Sequence, residues 1–290
     1  MCYTIQYAVY ASDYLSKDYT IYGKLDKIMD QTSAILEVSK RDLGILQITL
    51  NRPQVLNALN QELLDLLYQI LVTAKEDPSV KAVLLTGSGK AFCAGADIKQ
   101  LATLNAQTGL QFAKYGQKVF RFLEQLGKPV LAVVNGFAFG GGCELAMAAT
   151  MRIASTHAQF GQPEVKLGVI PGFGGTQRLA RLIGKGRALD LCLTGRIIKA
   201  DDALNWGLVS DVVAAEELMQ RAMTILSELV KLGPIALQSI MSVIDYGYDL
   251  SLEEASELEA VYFGLCCSTR DKQEGVDAFL QKRAAKFSGE

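Results

Sequence analysis

Two segments of this 290-residue chain share one design, in which an apolar strand leads into a glycine-rich turn and then into the start of a helix. The first covers residues 84–97 and the second covers residues 133–144. Glycine lets the backbone approach a ligand closely, and the first N–H groups of a helix have no partner within it. Two such turns facing one point would direct two peptide N–H donors at a developing negative oxygen. The pattern predicts strand–helix units and an oxyanion hole made of backbone.

The glycines of either turn also have a purely structural explanation, which is close packing of helix on strand. Glu144 favours the functional interpretation, because it lies in the first turn of an apolar helix, where an unpaired charge is costly. It follows Gly141 by three residues and so projects from nearly the same side of the helix. Neither turn fits G-x-G-x-x-G or G-x-x-x-x-G-K-[ST], which disfavours a dinucleotide-dependent dehydrogenase.

The chain divides into three predicted parts. Residues 1–32 form an N-terminal extension that holds six of the eleven tyrosines. Residues 33–213 form an α/β core, with strands predicted over 35–38, 45–50, 80–85, 130–134 and 151–154, and a helix capped by Asn60 whose apolar face recurs with a 3.6-residue period. Residues 214–290 are predicted to be almost entirely helical.

Composition excludes several classes of protein. With 29 basic and 31 acidic residues, the chain has no field that would attract nucleic acid or an anionic membrane. Its single histidine, His157, lies in a polar stretch and is predicted to be exposed, so acid–base chemistry falls mainly to carboxylates and a multi-histidine zinc centre is excluded. Six cysteines without a C-x-x-C pair indicate scattered thiols in a reducing compartment.

We expect a cytoplasmic protein that is not bound to membranes. The chain does not begin with a basic region followed by an apolar stretch, and its first arginine is Arg41, so neither a secretory signal nor a mitochondrial transit peptide is predicted. The longest uncharged run, residues 129–143, is too short and too rich in glycine to span a membrane.

Several stretches, in this order, resemble the signature motifs of the crotonase (enoyl-CoA hydratase/isomerase) superfamily. They are AFCAGADIK at 91–99, NGFAFGGGCEL at 135–145, FGQPE at 160–164 and IPGFGGTQRL at 170–179. The resemblance extends from about residue 35 to residue 287. It implies the α/β crotonase fold, in which repeated ββα units form two nearly perpendicular sheets and a C-terminal helical region serves in trimerisation.

The resemblance also implies the catalytic groups. In this family two peptide N–H groups hold the thioester carbonyl, and they correspond to those of Ala96 and Gly141. True hydratases carry two catalytic glutamates, which correspond to Glu144 and Glu164, whereas isomerases, hydrolases and decarboxylases of the superfamily commonly lack one of them. Because both are present, the sequence predicts reversible addition of water to a 2-enoyl-CoA, with Glu144 as the base and Glu164 as the acid.

Coenzyme A is part of the predicted substrate, and the resemblance implies which residues bind it. They are Val55, Ala58, Ala94, Ala96, Asp97, Ile98, Gly141, Phe263, Phe279 and Lys282. The last three would complete the adenine end, partly from a neighbouring subunit, in a homotrimer or homohexamer. Ordinary loop packing and an amphipathic helix with an exposed basic face also explain several of these residues. No metal and no separate cofactor is expected.

Two alternatives stay open from the sequence. One is another acyl-CoA reaction of the same superfamily, above all enoyl-CoA isomerisation. The other is a non-catalytic protein that binds coenzyme A or RNA, against which the intact glutamate pair and the balanced charge argue. Within the hydratase interpretation, Leu101, Leu104 and Phe112 are predicted to close an apolar pocket, which would favour acyl chains of about four to six carbons.

Overall fold

The computed structural model of the protein describes residues 34–290. The predicted N-terminal extension, residues 1–32, lies outside this range. Ten strands lie within it: β1 Leu36–Arg41, β2 Ile45–Leu50, β3 Ala82–Gly87, β4 Ala91–Cys93, β5 Val130–Val134, β6 Phe137–Phe139, β7 Met151–Ser155, β8 Gln159–Gly161, β9 Ile197–Lys199 and β10 Asp211–Val213.

Six of these strands form the larger sheet, in the order β1-β2-β3-β5-β7-β10. The first two form an antiparallel hairpin with Leu36 opposite Leu50, and the strands from β2 to β10 are parallel to their neighbours. Strands β3 and β5 are buried along their whole length, as their continuous apolar sequences predict. The predicted strands of the core are therefore present, with boundaries that differ by up to a few residues.

A second sheet consists of four three-residue strands in the order β4-β6-β8-β9. Each of β4, β6 and β8 follows a strand of the larger sheet after a short turn, so the chain passes three times from the larger sheet to the smaller one. Strands this short are too brief for their alternation of side chains to identify them, and the sequence predicted none of the four individually. Because a long strand of one sheet is followed by a short strand of the other before each glycine turn, and the short strands are neighbours, the glycine turns lie close together.

Eleven α-helices lie within the described residues: α1 Gln61–Glu76, α2 Ile98–Ala102, α3 Ala106–Glu124, α4 Gly141–Ala148, α5 Gly175–Ile183, α6 Lys185–Thr194, α7 Ala200–Asn205, α8 Leu218–Leu229, α9 Pro234–Gly247, α10 Leu252–Cys267 and α11 Arg270–Leu280. Asn60 caps α1 as predicted, its side chain accepting from the Leu63 N–H at 3.0 Å. The repeat predicted an apolar face of Leu63, Leu66, Leu67, Ile70 and Leu71. All of these are buried except Leu66, which is half-buried, and Leu64 is buried in addition.

The C-terminal helices differ in how they use their apolar residues. Helix α8 packs on the larger sheet through Leu218, Ala222 and Leu226. Helices α9 and α10 contain no buried residue in the described chain, although they carry exposed apolar side chains such as Ile244 and Val261. No single helix in residues 34–290 has the length and composition to cross a membrane; α8 and α9 meet those criteria only as a pair, bent by 105°.

Candidate active site

Glu144 is held inside the protein by its helix and by a distant loop. It lies in the first turn of α4, all eight residues of which are buried, and it is itself 1% exposed. Its Oε1 accepts hydrogen bonds from the N–H groups of Phe173 at 2.8 Å and Gly175 at 2.6 Å. These two donors compensate a buried carboxylate for lost water and fix its direction.

Glu164 approaches the same region from a less enclosed position. It lies in the 3-10 helix Pro163–Leu167, immediately after β8, and is half-buried. A Cβ atom placed on Gly140 would lie 2.6 Å from Glu164 Oε1, so the carboxylate is seated against the turn that precedes α4. Gln162 is fully buried beside Glu164, and with its amide oriented so that the nitrogen faces the carboxylate it donates to the two Glu164 oxygens at 3.0 Å and 3.2 Å.

The pKa values of both glutamates are raised. Burial raises the pKa of Glu144 to about 8, with a further contribution from the charge of Glu164, and the two peptide N–H groups act in the opposite direction. Burial also raises the pKa of Glu164 to about 7. Because the groups interact, their protons belong to the pair, and near neutral pH the pair holds about one proton. A pair of this kind contains both an acid and a base.

The two glycine turns lie side by side. A Cβ atom placed on Gly95 would lie 3.9 Å from the nitrogen of Gly141, and one on Gly141 would touch the Leu59 and Phe173 side chains. Within residues 34–290, neither the Ala96 N–H nor the Gly141 N–H donates a hydrogen bond. Two free peptide donors therefore accompany the two carboxyl groups, and such donors can stabilise a negative oxygen.

A backbone bridge joins the predicted coenzyme A segment to the first glycine turn. The N–H of Leu59 donates to Gly95 O at 2.8 Å, and Asp97 N–H donates to Leu59 O at 2.7 Å. Val55 lies in a 3-10 helix, Pro53–Val55, and Ala94 N–H donates to Leu56 O at 2.9 Å. The structure thus brings together six of the predicted substrate-binding residues: Val55, Ala58, Ala94, Ala96, Asp97 and Ile98.

Asp97 already has internal partners for its carboxylate. Oδ2 accepts from Arg52 at 2.9 Å, while Oδ1 caps α2 by accepting from the Lys99 N–H at 3.0 Å. Burial tends to raise the pKa of Asp97, but the bond and charge of Arg52 outweigh it, so the pKa is lowered. This pairing indicates a structural role for the Asp97 side chain, whereas Ile98 is 59% exposed and accessible.

The three predicted C-terminal residues are not brought to the glutamate pair by any hydrogen bond, ion pair or ring contact in residues 34–290. Phe263 on α10 is 70% exposed, and Phe279 on α11 is 83% exposed. Lys282 was predicted within the last helix, but α11 ends at Leu280 and Lys282 follows in a turn with φ 55°. These exposed side chains are available to a substrate or to another chain.

Sequence reasoning missed the groups that hold the glutamates in place. They are Gln162, the N–H groups of Phe173 and Gly175, and Arg178, which donates to Phe173 O at 2.6 Å. The signal was in the two stretches at 160–164 and 170–179, which carried the resemblance although only Glu164 among their residues was given a role. His157 is exposed, as predicted.

Comparison with known proteins agrees with this geometry. The profile of the enoyl-CoA hydratase/isomerase family matches residues 40–290. A crotonyl-CoA hydratase of Syntrophomonas wolfei is 45% identical over 260 residues, which is 89% of this chain and 99% of the relative. A short-chain-enoyl-CoA hydratase of Clostridium acetobutylicum is 46% identical over 256 residues, which is 88% of this chain and 97% of the relative.

Solved structures give the same result. The crystal structure of an enoyl-CoA hydratase from Bacillus anthracis has a TM-score of 0.86 and 39% sequence identity, over 88% of this chain and all of that one. The chain belongs to the enoyl-CoA hydratase/isomerase family, and its fold is the crotonase fold. Both predictions from the sequence are thereby confirmed.

Proposed function

We propose that this protein adds water reversibly to a 2-enoyl-CoA, giving a 3-hydroxyacyl-CoA, through the acid–base pair of Glu144 and Glu164. The observation that carries the proposal is the combination of two carboxyl groups of raised pKa with two unpaired peptide N–H groups. Enoyl-CoA hydratase activity itself is the prediction that the named relatives confirm.

In the proposed mechanism the N–H groups of Ala96 and Gly141 donate hydrogen bonds to the carbonyl oxygen of the thioester. Glu144 removes a proton from water, whose oxygen forms a bond to the β-carbon. The electron pair of the double bond passes to the α-carbon and the thioester oxygen, where the two N–H groups stabilise it, and Glu164 then gives its proton to the α-carbon. The pair starts and ends with one proton between its members, so it is ready for the next turnover once that proton returns to Glu164.

The proposed reaction uses no metal ion and no cofactor apart from the coenzyme A of the substrate. The segment around Val55 and Ala58 supports a path for coenzyme A beside the first glycine turn, because the Leu59–Ala96 bridge holds the two together. Phe263, Phe279 and Lys282 are proposed as contacts at the adenine end, supplied partly by a neighbouring subunit. Their high exposure supports that assignment.

We infer a homotrimer, or a hexamer built from two trimers, from the apolar surface of α9 and α10. Ile244 is 63% exposed and Leu252 is 85% exposed, and side chains of this type normally become buried in an assembly. Light scattering coupled to gel filtration tests this: a monomer at micromolar concentration would contradict the inference. A cytoplasmic location is proposed from the free thiols of the described residues, which suit a reducing compartment.

A labelling experiment separates hydration from isomerisation. Crotonyl-CoA is incubated with the protein in water that contains heavy oxygen, and the products are identified by mass spectrometry. The proposal expects one labelled oxygen in a 3-hydroxyacyl product. An unlabelled product with a shifted double bond, from a suitable enoyl-CoA, would show an isomerase instead.

The preferred substrate is proposed to be short. Phe112 is buried, and its ring makes an edge-to-face contact with the Phe173 ring, with the ring centroids 5.2 Å apart. Leu104 is half-buried against the core. These contacts support an apolar wall after α2. The crotonyl and short-chain names of the two relatives support the same size. We expect kcat/KM to be highest for chains of about four to six carbons, because further methylenes would overpack the wall. A steady rise in kcat/KM up to substrates of about sixteen carbons would contradict this preference.

A further inference from the structure

Arg178 and Glu124 form an ion pair next to the loop that holds Glu144. Arg178 Nε lies 2.6 Å from Glu124 Oε1, and Nη2 lies 3.0 Å from Oε2, so the two groups meet through two parallel contacts. Their side chains are only 16% and 20% exposed. Pairing of this kind fixes the orientation of the guanidinium as well as its position.

The third nitrogen of the guanidinium reaches the loop itself. Arg178 Nη1 donates to the carbonyl of Phe173 at 2.6 Å. The N–H of the same Phe173 donates to Glu144 at 2.8 Å, and Gly175 N–H donates to the same oxygen at 2.6 Å. A continuous chain of hydrogen bonds therefore runs from Glu124 through Arg178 and the loop to the Glu144 carboxylate.

Helix α3, which carries Glu124, also holds the loop at its other end. Gln117 Nε2 donates to Gly172 O at 2.8 Å. The Phe173 ring lies on the helix at Gly116, where an added Cβ would lie only 2.3 Å from it. The ring of Phe120 makes an edge-to-face contact with the Phe173 ring, with the ring centroids 5.4 Å apart. The loop is thus packed against helix α3 through several contacts, and the Arg178–Glu124 ion pair links it to the same helix.

We propose that Arg178, acting with Glu124, is a positioning residue for hydration: the pair fixes loop 172–175 and thereby aims the Glu144 carboxylate at the reacting water. The proposal rests on the function proposed above for this site. It assigns a role to two side chains that touch neither substrate nor the reacting atoms.

The charges around Glu144 give this proposal a measurable signature. Burial and the charge of Glu164 raise the pKa of Glu144, while the two loop N–H groups and the positive charge of Arg178 oppose that rise. The thiols of Cys93 and Cys143 also face this region, and burial raises their pKa values, so they stay neutral. Removing Arg178 should therefore raise the pKa of Glu144 further.

The charged residue that pairs with Arg178 belongs to a small surface network. Glu124 faces Arg178 and also lies 3.5 Å from Arg121, which pairs with Asp245 at 2.9 Å. Neutralising Glu124 alone leaves the positive charge of Arg178 in place but frees its side chain. The two single variants should thus differ in their pH profiles although both loosen the loop.

The experiment compares Arg178→Gln and Glu124→Gln with the wild type, using crotonyl-CoA as substrate. Arg181→Gln is the matched control, because Arg181 lies on the same helix and pairs with Asp249 at the surface without contacting the loop. We expect Arg178→Gln to lower kcat by roughly 10- to 100-fold with a change in KM below about threefold, since a displaced catalytic group costs rate more than affinity. The alkaline limb of its kcat/KM profile should move to higher pH.

The remaining variants separate positioning from charge. Glu124→Gln should lower kcat with little movement of the alkaline limb, and the double variant should be little worse than Arg178→Gln because the pair acts as one unit. Arg178→Lys should return the limb toward the wild-type pH while kcat stays well below wild type, since lysine keeps the charge but lacks the forked contacts. Arg181→Gln should behave as wild type.

Thermal unfolding of every variant accompanies the kinetics. If Arg178→Gln unfolds near the wild-type midpoint and keeps both kcat and pH profile, the proposal is overturned. A loss of rate that follows the midpoint, with no movement of the limb, would also overturn it, because that result shows a merely structural role. Should Arg178→Gln not fold, the lysine variant and Glu124→Gln decide the matter by the same criteria. An inactive wild type would instead refute the function proposed for the site.

Discussion

Glu144 and Glu164 are the same residue type in the same site, but the protein holds them in opposite ways. Glu144 is fixed by a buried helix, by two peptide N–H groups and by Gly175, where an added Cβ would lie 2.9 Å from Oε1. Glu164 lies on a short 3-10 helix that leads into exposed residues, and its polar neighbour is the side chain of Gln162.

The difference suggests how one chemistry is divided between two carboxyl groups. Burial and the charge of Glu164 leave Glu144 with the higher pKa of the two, but its two N–H donors favour the ionised form that a base requires, and they prevent the carboxylate from turning. Glu164 has the side chain of Gln162 as its polar neighbour in place of two fixed peptide donors, so we expect it to adjust more easily and to follow the α-carbon during proton transfer. We therefore expect Glu144 to be held precisely and Glu164 to adjust during the reaction.

Replacing the carboxyl groups should have the largest effect. Glu144→Gln and Glu164→Gln keep side-chain size and remove proton transfer, so each should lower kcat by roughly 10²- to 10⁴-fold with KM little changed. The double variant should cost little more than the worse single one, because the pair works as a unit. Steady-state hydration kinetics measure this, and near-normal rates in Glu144→Gln would refute the two-carboxylate mechanism.

The neighbouring glycines test whether one glutamate is fixed and the other adjustable. Gly175→Ala presses a methyl group on a carboxylate that cannot yield, and we expect kcat to fall about 100-fold. Gly140→Ala places a methyl group against Glu164, which we expect to shift aside, so kcat should fall nearer 10-fold. Stability should also fall somewhat, because φ is +50° at Gly140.

Gly168→Ala is the control for strain in this series. Gly168 has φ +74° but no atom within 4 Å of an added Cβ, so stability should fall slightly while kcat stays near wild type. Kinetics and thermal midpoints of the three variants give the order of effects. A greater loss in Gly140→Ala than in Gly175→Ala, at equal stability, would reverse the comparison of the two glutamates.

The pH dependence of hydration should show the shared proton. Activity requires one protonated and one ionised carboxyl group, so kcat/KM should fall below about pH 7, where both become protonated, and above about pH 8, where both ionise. In Glu164→Gln only Glu144 titrates, and the Glu164 charge that helps to raise its pKa is gone, so the residual activity should rise with a midpoint below about pH 8. A midpoint that stays near pH 8 in that variant would show that the two groups do not interact.

Stability should show the same coupling more weakly. Because the pKa values of both carboxyl groups are raised, the folded protein binds their protons more tightly than the unfolded protein does. This proton binding adds to the free energy of unfolding in full below about pH 4.5, and the added stability is lost as pH rises through about 7 and 8. Glu144→Gln should therefore gain in thermal midpoint relative to wild type across that window, and Glu164→Gln should gain less. The thermal midpoints are measured against pH at one protein concentration, with the surface variant Glu76→Gln as control. Parallel curves of midpoint against pH for the wild type and all three variants would contradict the raised pKa values of the two glutamates.

Local sequence patterns predicted the long elements well. Residues 130–134 form a buried strand, as their uninterrupted apolar run indicates, and Asn60 starts α1 by capping it. The start of α4 at Gly141 followed from the glycine run and its apolar sequel. Each of these features depends on neighbours within a few residues, which is the range that a sequence pattern describes.

The rest of the site depends on contacts that no local pattern contains. The donors to Glu144 lie 29 and 31 residues further along the chain, and the short strands that bring the two turns together are only three residues each. Glu164 entered the prediction through its resemblance to a family motif and not through its spacing from Glu144. The structure supplies the reason for the pairing, because Gly140 seats Glu164 at the start of α4.

The most direct test of the account is the initial rate of crotonyl-CoA hydration, followed as the loss of the enoyl thioester absorbance. Purified wild-type protein and Glu144→Gln are compared at equal concentration and neutral pH. The two-carboxylate mechanism predicts rapid loss of absorbance with the wild type and a rate lower by roughly 10²- to 10⁴-fold with the variant. Unchanged absorbance with folded wild-type protein, or equal rates for the two proteins, would contradict it.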